Sequence, residues 1–222
     1  LMGFAGVNVT VPHKEAAFAT VDDTDRLAQR IGAVNTIVFD DDGRAHGSNT
    51  DAFGFIESLR TKVPGWSGAA GPAVVLGAGG AARAIVAALQ DDGAPEIRIV
   101  NRTRDRARRL VEEFGSPLTD VAWQARADAL DGAALVVNTT TLGMAGNPPL
   151  DLSLDSLPRD AVVNDIVYVP LETPLLTAAT ARGNPAVDGL EMLLHQARPG
   201  FARWFGTEPE VTDRLRATVR GD

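Results

Sequence analysis

A glycine-rich turn carries the clearest chemical signal in this sequence of 222 residues. Gly77, Gly79 and Ala82 fit the spacing G-x-G-x-x-G/A between the apolar run "AVVL" and a helical segment. At such a turn the first glycine permits the tight bend, the second lets the backbone approach a pyrophosphate, and the small third residue allows close helix–strand packing. Free N–H groups and the helix dipole then favour an anion.

Glycine-rich turns are common, so this spacing alone is a weak signal. Here strand, motif, helix and a second strand follow one another in order, which favours a dinucleotide site over a plain turn. The residues expected at the phosphates are Gly77, Ala78, Gly79, Gly80 and Ala81.

The residues after the second strand indicate which dinucleotide is bound. About 20 residues beyond the motif, an NAD site would present Asp or Glu to the ribose hydroxyls. This sequence has Asn101, Arg102 and Thr103 there. A carboxylate would repel a 2′-phosphate, whereas the planar guanidinium of Arg102 can bind one. Several arginines of "RTRDRARR" belong to a solvated helix start, but a basic cluster here in a chain of net charge −8 favours NADP.

A second segment, "NVTVPHK" at residues 8–14, places a lysine where a strand ends. Asn8 to Val11 alternate polar and apolar side chains, as a half-buried strand does. Pro12 ends that strand because it has no N–H for a sheet ladder. Taken alone, Lys14 is most simply a solvated loop cation.

The elements that must position these residues follow from the apolar pattern. Short, β-branched, apolar runs alternate with helical segments at 73–77, 97–101, 134–138 and 161–167. Such runs are typical of strands buried on both faces. Their alternation with helices predicts an α/β fold with parallel βαβ units in an open, doubly wound sheet.

The flanking regions have other patterns. Residues 14–32 predict a polar helical stretch, and 36–39 with the residues after Gly43 predict a hairpin. Three aspartates stand in that turn; we interpret them as turn residues and not as a metal site. Residues 62–72, rich in Gly and Pro, predict a connection. The tail predicts an amphipathic helix or helix pair, kinked or divided at Pro199.

Composition excludes several classes of function. The net charge of −8 argues against nucleic-acid and anionic-membrane binding. The absence of cysteine excludes disulfides and thiol nucleophiles, and three scattered histidines give no support to a metal site. No apolar run approaches the ~20 residues of a membrane span, and no secretory signal is found. We therefore expect a cytoplasmic protein without a metal.

With these pieces placed, the sequence resembles the shikimate dehydrogenase family. The motifs that carry the resemblance lie in the family's order over nearly the whole chain and are specific in combination. They are "GVNVTVPHK" (6–14), "GAVNT" (32–36), "NTD" (49–51), "GAGGAAR" (77–83), "NRT" (101–103) and "DGLEMLLHQA" (188–197).

The resemblance implies NADP-dependent, reversible reduction of 3-dehydroshikimate to shikimate in aromatic amino-acid biosynthesis, the route to chorismate. Lys14 then matches the family's catalytic lysine and Asp51 its partner. Hydride addition to a ketone builds negative charge on oxygen, and a held ammonium supplies both a proton and positive charge. Asp51 has a competing interpretation as the cap of the helix that begins "DAFGFIESL".

Further roles come from the same motifs. Positions that contact the substrate in relatives match Asn8, Thr10, Asn35, Tyr168 and Gln196. Short neutral side chains suit a polyol, although each could be an ordinary exposed polar residue. Positions near the nicotinamide match Thr139, Met144 and Gly189; Met144 could equally be core filler.

The family's architecture implies two domains. Residues 1–50 and 189–222 would form a smaller α/β substrate domain completed by the C-terminal helix, and 51–188 a Rossmann-like NADP-binding domain. Relatives carry an amino-terminal βα segment with a Ser-x-Ser motif that binds the substrate carboxylate, so we expect further residues before Leu1. We expect a monomer or homodimer.

Three alternatives stay open. A quinate/shikimate dehydrogenase that uses NAD would want an acidic residue near position 101. A catalytically silent NADP-binding protein would need neither Lys14 nor Asp51. A variant acting on aminoshikimate is compatible with the same residues.

Overall fold

The computed structural model describes residues 3–10 and 12–221. In these residues the strands are β1 Gly6–Asn8, β2 Asp23–Thr24, β3 Thr36–Phe39, β4 Ala45–Ser48, β5 Ala73–Leu76, β6 Ile97–Asn101, β7 Leu118–Ala122, β8 Leu135–Asn138, β9 Val162–Asp165 and β10 Ala186–Val187. The helices are α1 Lys14–Thr20, α2 Arg26–Ile31, α3 Asp51–Lys62, α4 Gly80–Asp91, α5 Arg104–Phe114, α6 Pro174–Arg182, α7 Gly189–Phe205 and α8 Asp213–Arg220.

The larger sheet confirms the predicted α/β fold. Its six strands are all parallel and lie in the order β10-β9-β8-β5-β6-β7. Strand β5 is central, and the chain runs outward from it in both directions, which is the Rossmann arrangement. The crevice for a ligand in such a sheet lies at the carboxyl ends of the strands where the order reverses, here between β5 and β8.

The core explains why these strands are apolar along their whole length. Ala73 and Val75 pack with helices α3, α4 and α5 on one face, while Val74 and Leu76 pack with α6 on the other. All four residues are buried. Since both faces of the sheet are covered, the sequence of β5 does not alternate between polar and apolar residues.

The smaller sheet has the order β1-β3-β4-β2 and contains the predicted hairpin, β3 to β4. In its turn the Asp40 carboxylate accepts N–H bonds from Asp42 and Arg44, and Gly43 has a φ of +79°. The first strand differs from its prediction: it ends at Asn8, because its partner β3 begins only at Thr36. Val11 lies outside the described residues.

One helix prediction was wrong in its bounds, and for the tail the structure excludes one of the two alternatives at Pro199. The polar stretch 14–32 is divided into α1 and α2, because Asp23 and Thr24 pair with β4 and Asp25 then caps α2. The tail is not divided at Pro199, since α7 continues through it to Phe205. Proline removes one helical hydrogen bond, but α7 packs on both α3 and β3.

A buried carboxylate attaches the last helix to the protein. Glu191 is fully buried and accepts bonds from Arg216 at 2.8 and 3.0 Å and from Lys62 at 3.0 Å. Burial by itself would raise the pKa of Glu191, but the hydrogen bonds from Arg216 and Lys62 outweigh it and hold the pKa below its ordinary value. The cluster joins α8, α7 and the end of α3.

This cluster predicts acid sensitivity. Because the pKa of Glu191 is lower in the folded state, its contribution is complete above the ordinary value of 4.5 and is lost as pH falls below it. Glu191→Gln is expected to lower the free energy of unfolding by about 2 kcal/mol at pH 7, less than for fully buried pairs because both cations are partly exposed. The difference from the parent protein should shrink as pH falls below 4.5.

Urea unfolding at a series of pH values measures this. Glu208→Gln is the matched control, since Glu208 is exposed and Arg198 is its one ion-pair partner among residues 3–10 and 12–221; the stability of this variant should equal that of the parent at every pH. An effect of Glu191→Gln that is the same at pH 4 and pH 7 would contradict the ionic explanation.

Candidate active site

A lysine–aspartate pair lies where α1 and α3 begin. Lys14 is the first residue of α1, and its carbonyl accepts the N–H of Val34. Its Nζ donates to Asp51 Oδ2 at 2.6 Å, with the lysine side chain 18% exposed and the aspartate 7%. The ammonium is therefore held at one place with an edge open to a ligand.

The carboxylate of Asp51 does not cap its helix. The N-cap of α3 is Thr50, and the side-chain bonds of Asp51 go to Lys14 and Asn35. Its own N–H donates to Asn49 Oδ1 at 3.0 Å, and Asn49 Nδ2 donates to the carbonyl of Ala33. The capping interpretation of Asp51 does not fit these contacts.

Asn35 connects the pair to the last long helix. Its Nδ2 lies 2.9 Å from Asp51 Oδ1, 3.0 Å from Thr50 Oγ1 and 3.2 Å from Gln196 Oε1. Its Oδ1 accepts the N–H of Thr50 at 2.9 Å. The sequence interpretation missed Thr50 as a site residue, although it stands inside the "NTD" motif beside Asp51.

Gln196 reaches this cluster because α3 and α7 approach closely. A Cβ on Gly54 of α3 would lie 2.6 Å from Gln196 Cβ and 2.8 Å from the carbonyl oxygen of Met192. Only glycine leaves room for α7 at that distance. Asn8 joins from the small sheet, where its Nδ2 donates to the carbonyl of Asn35 at 3.2 Å.

The substrate residues predicted from sequence are thus largely brought together. Asn8, Asn35 and Gln196 lie in one hydrogen-bonded cluster with the lysine–aspartate pair. The exposed Thr10 makes no side-chain hydrogen bond within the described residues; its carbonyl accepts the N–H of His13. Tyr168 stands apart, 45% exposed, on the loop after β9.

The glycine-rich turn lies at the reversal point of the larger sheet. Gly77 donates its N–H to the carbonyl of Val100 on β6, and Thr139 donates its N–H to the carbonyl of Leu76. Gly77 has a φ of +114°, and a Cβ there would lie 2.3 Å from Thr139 Oγ1. Both the backbone conformation and the close approach of Thr139 require glycine at this position.

The next glycines leave open space. Gly79 is the N-cap of α4 with no side-chain cap, and a Cβ on Gly79 or Gly80 would meet no atom within 4 Å. Within the described ranges, the N–H groups of Gly80, Ala81 and Ala82 have no acceptor. A helix start with free N–H groups and room in front of it suits a phosphate.

Arginines flank this turn on the β6 side. Arg104 and Arg108 both face the carboxylate of Asp120. The guanidinium groups of Arg102 and Arg106 have no partner in the described part of the chain. Arg106 lies four residues after Arg102 in the first turn of α5, and no sequence motif distinguished it from the neighbouring arginines.

Two of the predicted cofactor residues are engaged with their own chain. Asn101 Nδ2 donates to the carbonyl of Thr103 at 2.8 Å, which orders the turn that presents Arg102. Gly189 is buried against the backbone: a Cβ there would lie 2.2 Å from the carbonyl oxygen of Ile166 and 2.6 Å from that of Val167. The structure thus gives Gly189 a packing role that the sequence did not reveal.

The loops after β8 and β9 frame the same crevice. Ala145, next to Met144, donates its N–H to the carbonyl of Val169, next to Tyr168. Beneath them Asp165 is fully buried and accepts bonds from Thr173 Oγ1 at 2.7 Å and Asn138 Nδ2 at 2.9 Å. Burial raises the pKa of Asp165, and these bonds oppose that rise without cancelling it.

Other site types find no support in the described residues. No group of three or more His, Asp or Glu side chains there could hold a metal ion. None of the helices of residues 3–10 and 12–221 is long and apolar enough to cross a membrane.

Fold and site together define the class: an α/β protein with a Rossmann-type dinucleotide crevice and a separate, partly buried lysine–aspartate–amide cluster. Residues 2–37 match the family described as shikimate dehydrogenase substrate binding domain, and residues 60–142 match shikimate / quinate 5-dehydrogenase.

Relatives of known family are similar in sequence to nearly the whole chain. The shikimate dehydrogenase (NADP(+)) of Paramagnetospirillum magneticum is 63% identical over 98% of this chain and 79% of its own length; that of Rhodospirillum rubrum is 58% identical over 99% and 79%. The chain belongs to the shikimate dehydrogenase family.

Solved structures give the same result. Shikimate 5-dehydrogenase of Thermus thermophilus in complex with NADP(H) and shikimate has a TM-score of 0.86 at 40% identity, over 100% of this chain and 80% of that one. Quinate dehydrogenase of Corynebacterium glutamicum in complex with NAD has a TM-score of 0.91 at 34% identity, over 100% and 79%.

Proposed function

We propose that this protein is an NADP-dependent oxidoreductase that interconverts 3-dehydroshikimate and shikimate in aromatic amino-acid biosynthesis. The observation that carries the proposal is the pair Lys14–Asp51, joined by Asn35 to Gln196, in a chain that also has an open glycine-rich turn at the start of α4. The relatives named above at 58–63% identity are called shikimate dehydrogenase (NADP(+)).

Lys14 is the proton donor and acceptor in this proposal. Bound NADPH would supply a hydride to the ketone carbon. As charge builds on the ketone oxygen, the Nζ of Lys14 gives it a proton and stabilises it. In the other direction the lysine takes the hydroxyl proton. Asp51 holds the ammonium in place at 2.6 Å and keeps its charge compensated.

The amide side chains position the substrate. A polyol presents donors and acceptors in fixed directions, and Asn8, Asn35 and Gln196 offer both kinds of group from one cluster. We assign Thr10 and Tyr168 to the same substrate on the resemblance. A buried polar cluster left without its partner is costly, so it discriminates against analogues that lack a hydroxyl.

The cofactor residues form a second group. The free N–H groups at the start of α4 would hold the pyrophosphate, and Arg102 with Arg106 would supply the positive charge for the 2′-phosphate. We assign Thr139, Met144 and Gly189 to the nicotinamide on the resemblance; Gly189 would act there through the close packing of its backbone on Ile166 and Val167.

We also propose the division into a substrate domain, 1–50 and 189–222, and a cofactor domain, 51–188. Helix α3 lies at this boundary and packs on both α7 and α4. The lysine–aspartate pair and the glycine-rich turn are then on opposite sides of one cleft, and its closure would exclude water. A cytoplasmic location and a monomer or homodimer remain predictions.

Cofactor choice gives a direct prediction for Arg102. Arg102→Ala is expected to raise the KM for NADP about tenfold or more, because charge-assisted bonds to a phosphate are lost, and to leave the KM for NAD unchanged. Initial rates with both cofactors measure it. Arg104→Ala is the control, since Arg104 is already paired with Asp120. Equal effects on NADP and NAD would remove Arg102 from this role.

The test of the function itself is an absorbance assay of NADPH formation on the gene product that contains these residues. Shikimate with NADP should give turnover, with little from quinate or from NAD. Turnover with quinate and NAD would favour the alternative that the Corynebacterium glutamicum structure represents. NADP binding without turnover on either substrate would favour a silent binding protein.

A further inference from the structure

Arg83, the last residue of the "GAGGAAR" motif, has no part in the proposed chemistry, and its side chain turns away from the phosphate site. It lies in the first turn of α4, where its N–H donates to the carbonyl of Gly79. Its Nε donates to the carbonyl of Ile31, the last residue of α2. Helix C-terminal carbonyls lack partners within the helix, and a cation there is favoured.

The guanidinium of Arg83 is fixed from several sides. Its Nη1 pairs with Glu113, and its Cζ lies 5.3 Å from the ring centroid of Phe114. Its Nη2 would be 3.5 Å from a Cβ on Gly32, the left-handed C-cap of α2. A side chain held by a backbone carbonyl, a carboxylate and a ring has few other positions available.

The segment that Arg83 holds leads directly to the active site. Two residues after Gly32, the N–H of Val34 donates to the carbonyl of Lys14. The next residue, Asn35, donates its side-chain amide to Asp51. Ile31 and Ala33 also pack against α4 in a small apolar cluster. One turn of α4 thus connects the glycine-rich turn at one side to the lysine–aspartate–amide cluster at the other.

We propose that Arg83 is a positioning residue that sets the cofactor turn at the correct distance from Lys14 and the bound substrate. The proposal rests on the proposed function. Hydride transfer needs donor and acceptor carbons in close, aligned contact, and a misplacement of about 1 Å costs about 10²-fold in rate. The bond from Arg83 on α4 to the Ile31 carbonyl on α2 would fix the distance between the two sites, although Arg83 contacts neither ligand.

The experiment compares Arg83→Ala with Arg30→Ala. Arg30 lies on α2 near the opposite end of α4, contacts the same Phe114 ring at 5.8 Å and pairs with Asp91. It makes no bond to the Ile31 carbonyl in the described residues. Arg30→Ala therefore removes a comparable surface ion pair between the same two helices and serves as the matched control.

Single-turnover rates, cofactor affinity and the deuterium isotope effect with 4-deuterated NADPH are the readouts. Arg83→Ala is expected to slow hydride transfer about 10²-fold, to raise the observed isotope effect and to change the Kd for NADP by less than about threefold. Arg83→Lys should restore part of the rate, and Arg30→Ala should match the parent. An unchanged rate, or a loss of NADP affinity equal to the loss of rate, would overturn the proposal.

A readout without turnover separates this proposal from the proposed function. Amide hydrogen exchange should show that NADP protects residues 33–36 in the parent and in Arg30→Ala but not in Arg83→Ala. If the parent binds NADP without shikimate turnover, the proposed function fails while this comparison still decides whether Arg83 connects the two sites. Equal protection in all three proteins would refute the connection.

Discussion

Lys14→Ala is expected to lower shikimate-dependent turnover by about 10³-fold while the Kd for NADP changes by less than about threefold. A positioned general acid contributes about 10²–10⁴-fold, and the same ammonium also compensates charge on the developing alkoxide. The glycine-rich turn lies on a different sheet and makes no bond to Lys14 within the described residues, so cofactor binding is spared. Initial rates and a fluorescence titration of NADP(H) measure the two quantities.

Lys62→Ala is the matched control, because Lys62 is the only other lysine in the sequence and pairs with Glu191 away from the site. It should leave kcat unchanged. Removing Lys14 also leaves Asp51 buried without its cation, so some stability is lost, and urea unfolding must show that the variant is folded in the assay. A parallel loss of turnover and NADP affinity in a folded variant would contradict the assignment.

Gly189→Ala is expected to lower the free energy of unfolding by about 3 kcal/mol. Alanine is favoured over glycine in a helix by about 1 kcal/mol, but here its Cβ would lie 2.2 Å from the carbonyl oxygen of Ile166. The carbonyl oxygen of Val167 would also lie close, at 2.6 Å. Because both contacts are backbone atoms, the start of α7 must move, and overpacking of this kind costs about 1–3 kcal/mol or more. Urea unfolding followed by circular dichroism measures the loss.

Gly79→Ala is the matched comparison for this glycine, since a Cβ at Gly79 would meet no atom of the protein within 4 Å. It should cost less than about 1 kcal/mol of stability, the usual size of an N-cap effect. Affinity for NADP should fall about tenfold or more, because the methyl group would occupy the space through which a pyrophosphate approaches the backbone. If both variants lose stability equally, the turn at Gly79 is filled by protein and is not a ligand site.

Local signals in the sequence were enough for the larger sheet and its turn. Ala73–Leu76 is apolar at every position because both its faces are covered, and that burial is visible as a continuous run. Gly77 has a φ of +114°, which glycine adopts without strain. A glycine at this position in the sequence therefore indicates the turn conformation. The hairpin at Asp40 and Gly43 was predicted for the same reason.

Predictions of element ends were less accurate because distant partners decide them. Strand β1 ends at Asn8, where β3 begins opposite it. Helix α7 runs through Pro199 although proline disfavours a helix interior. In both places the packing of residues far away in sequence outweighs a local preference, and no window of neighbouring residues contains that information.

The sequence by itself determined the class of sheet, the position of the glycine-rich turn and the position of the basic residues that follow β6, because periodicity, glycine spacing and charge are local properties. Only the tertiary structure decided which polar residues meet. Asn35 lies 3.2 Å from Gln196, 161 residues away, since Gly54 lets α7 approach α3. Contacts of that kind depend on how helices pack on a shared core, so Arg83 acquires its bond to the Ile31 carbonyl only when the chain has folded.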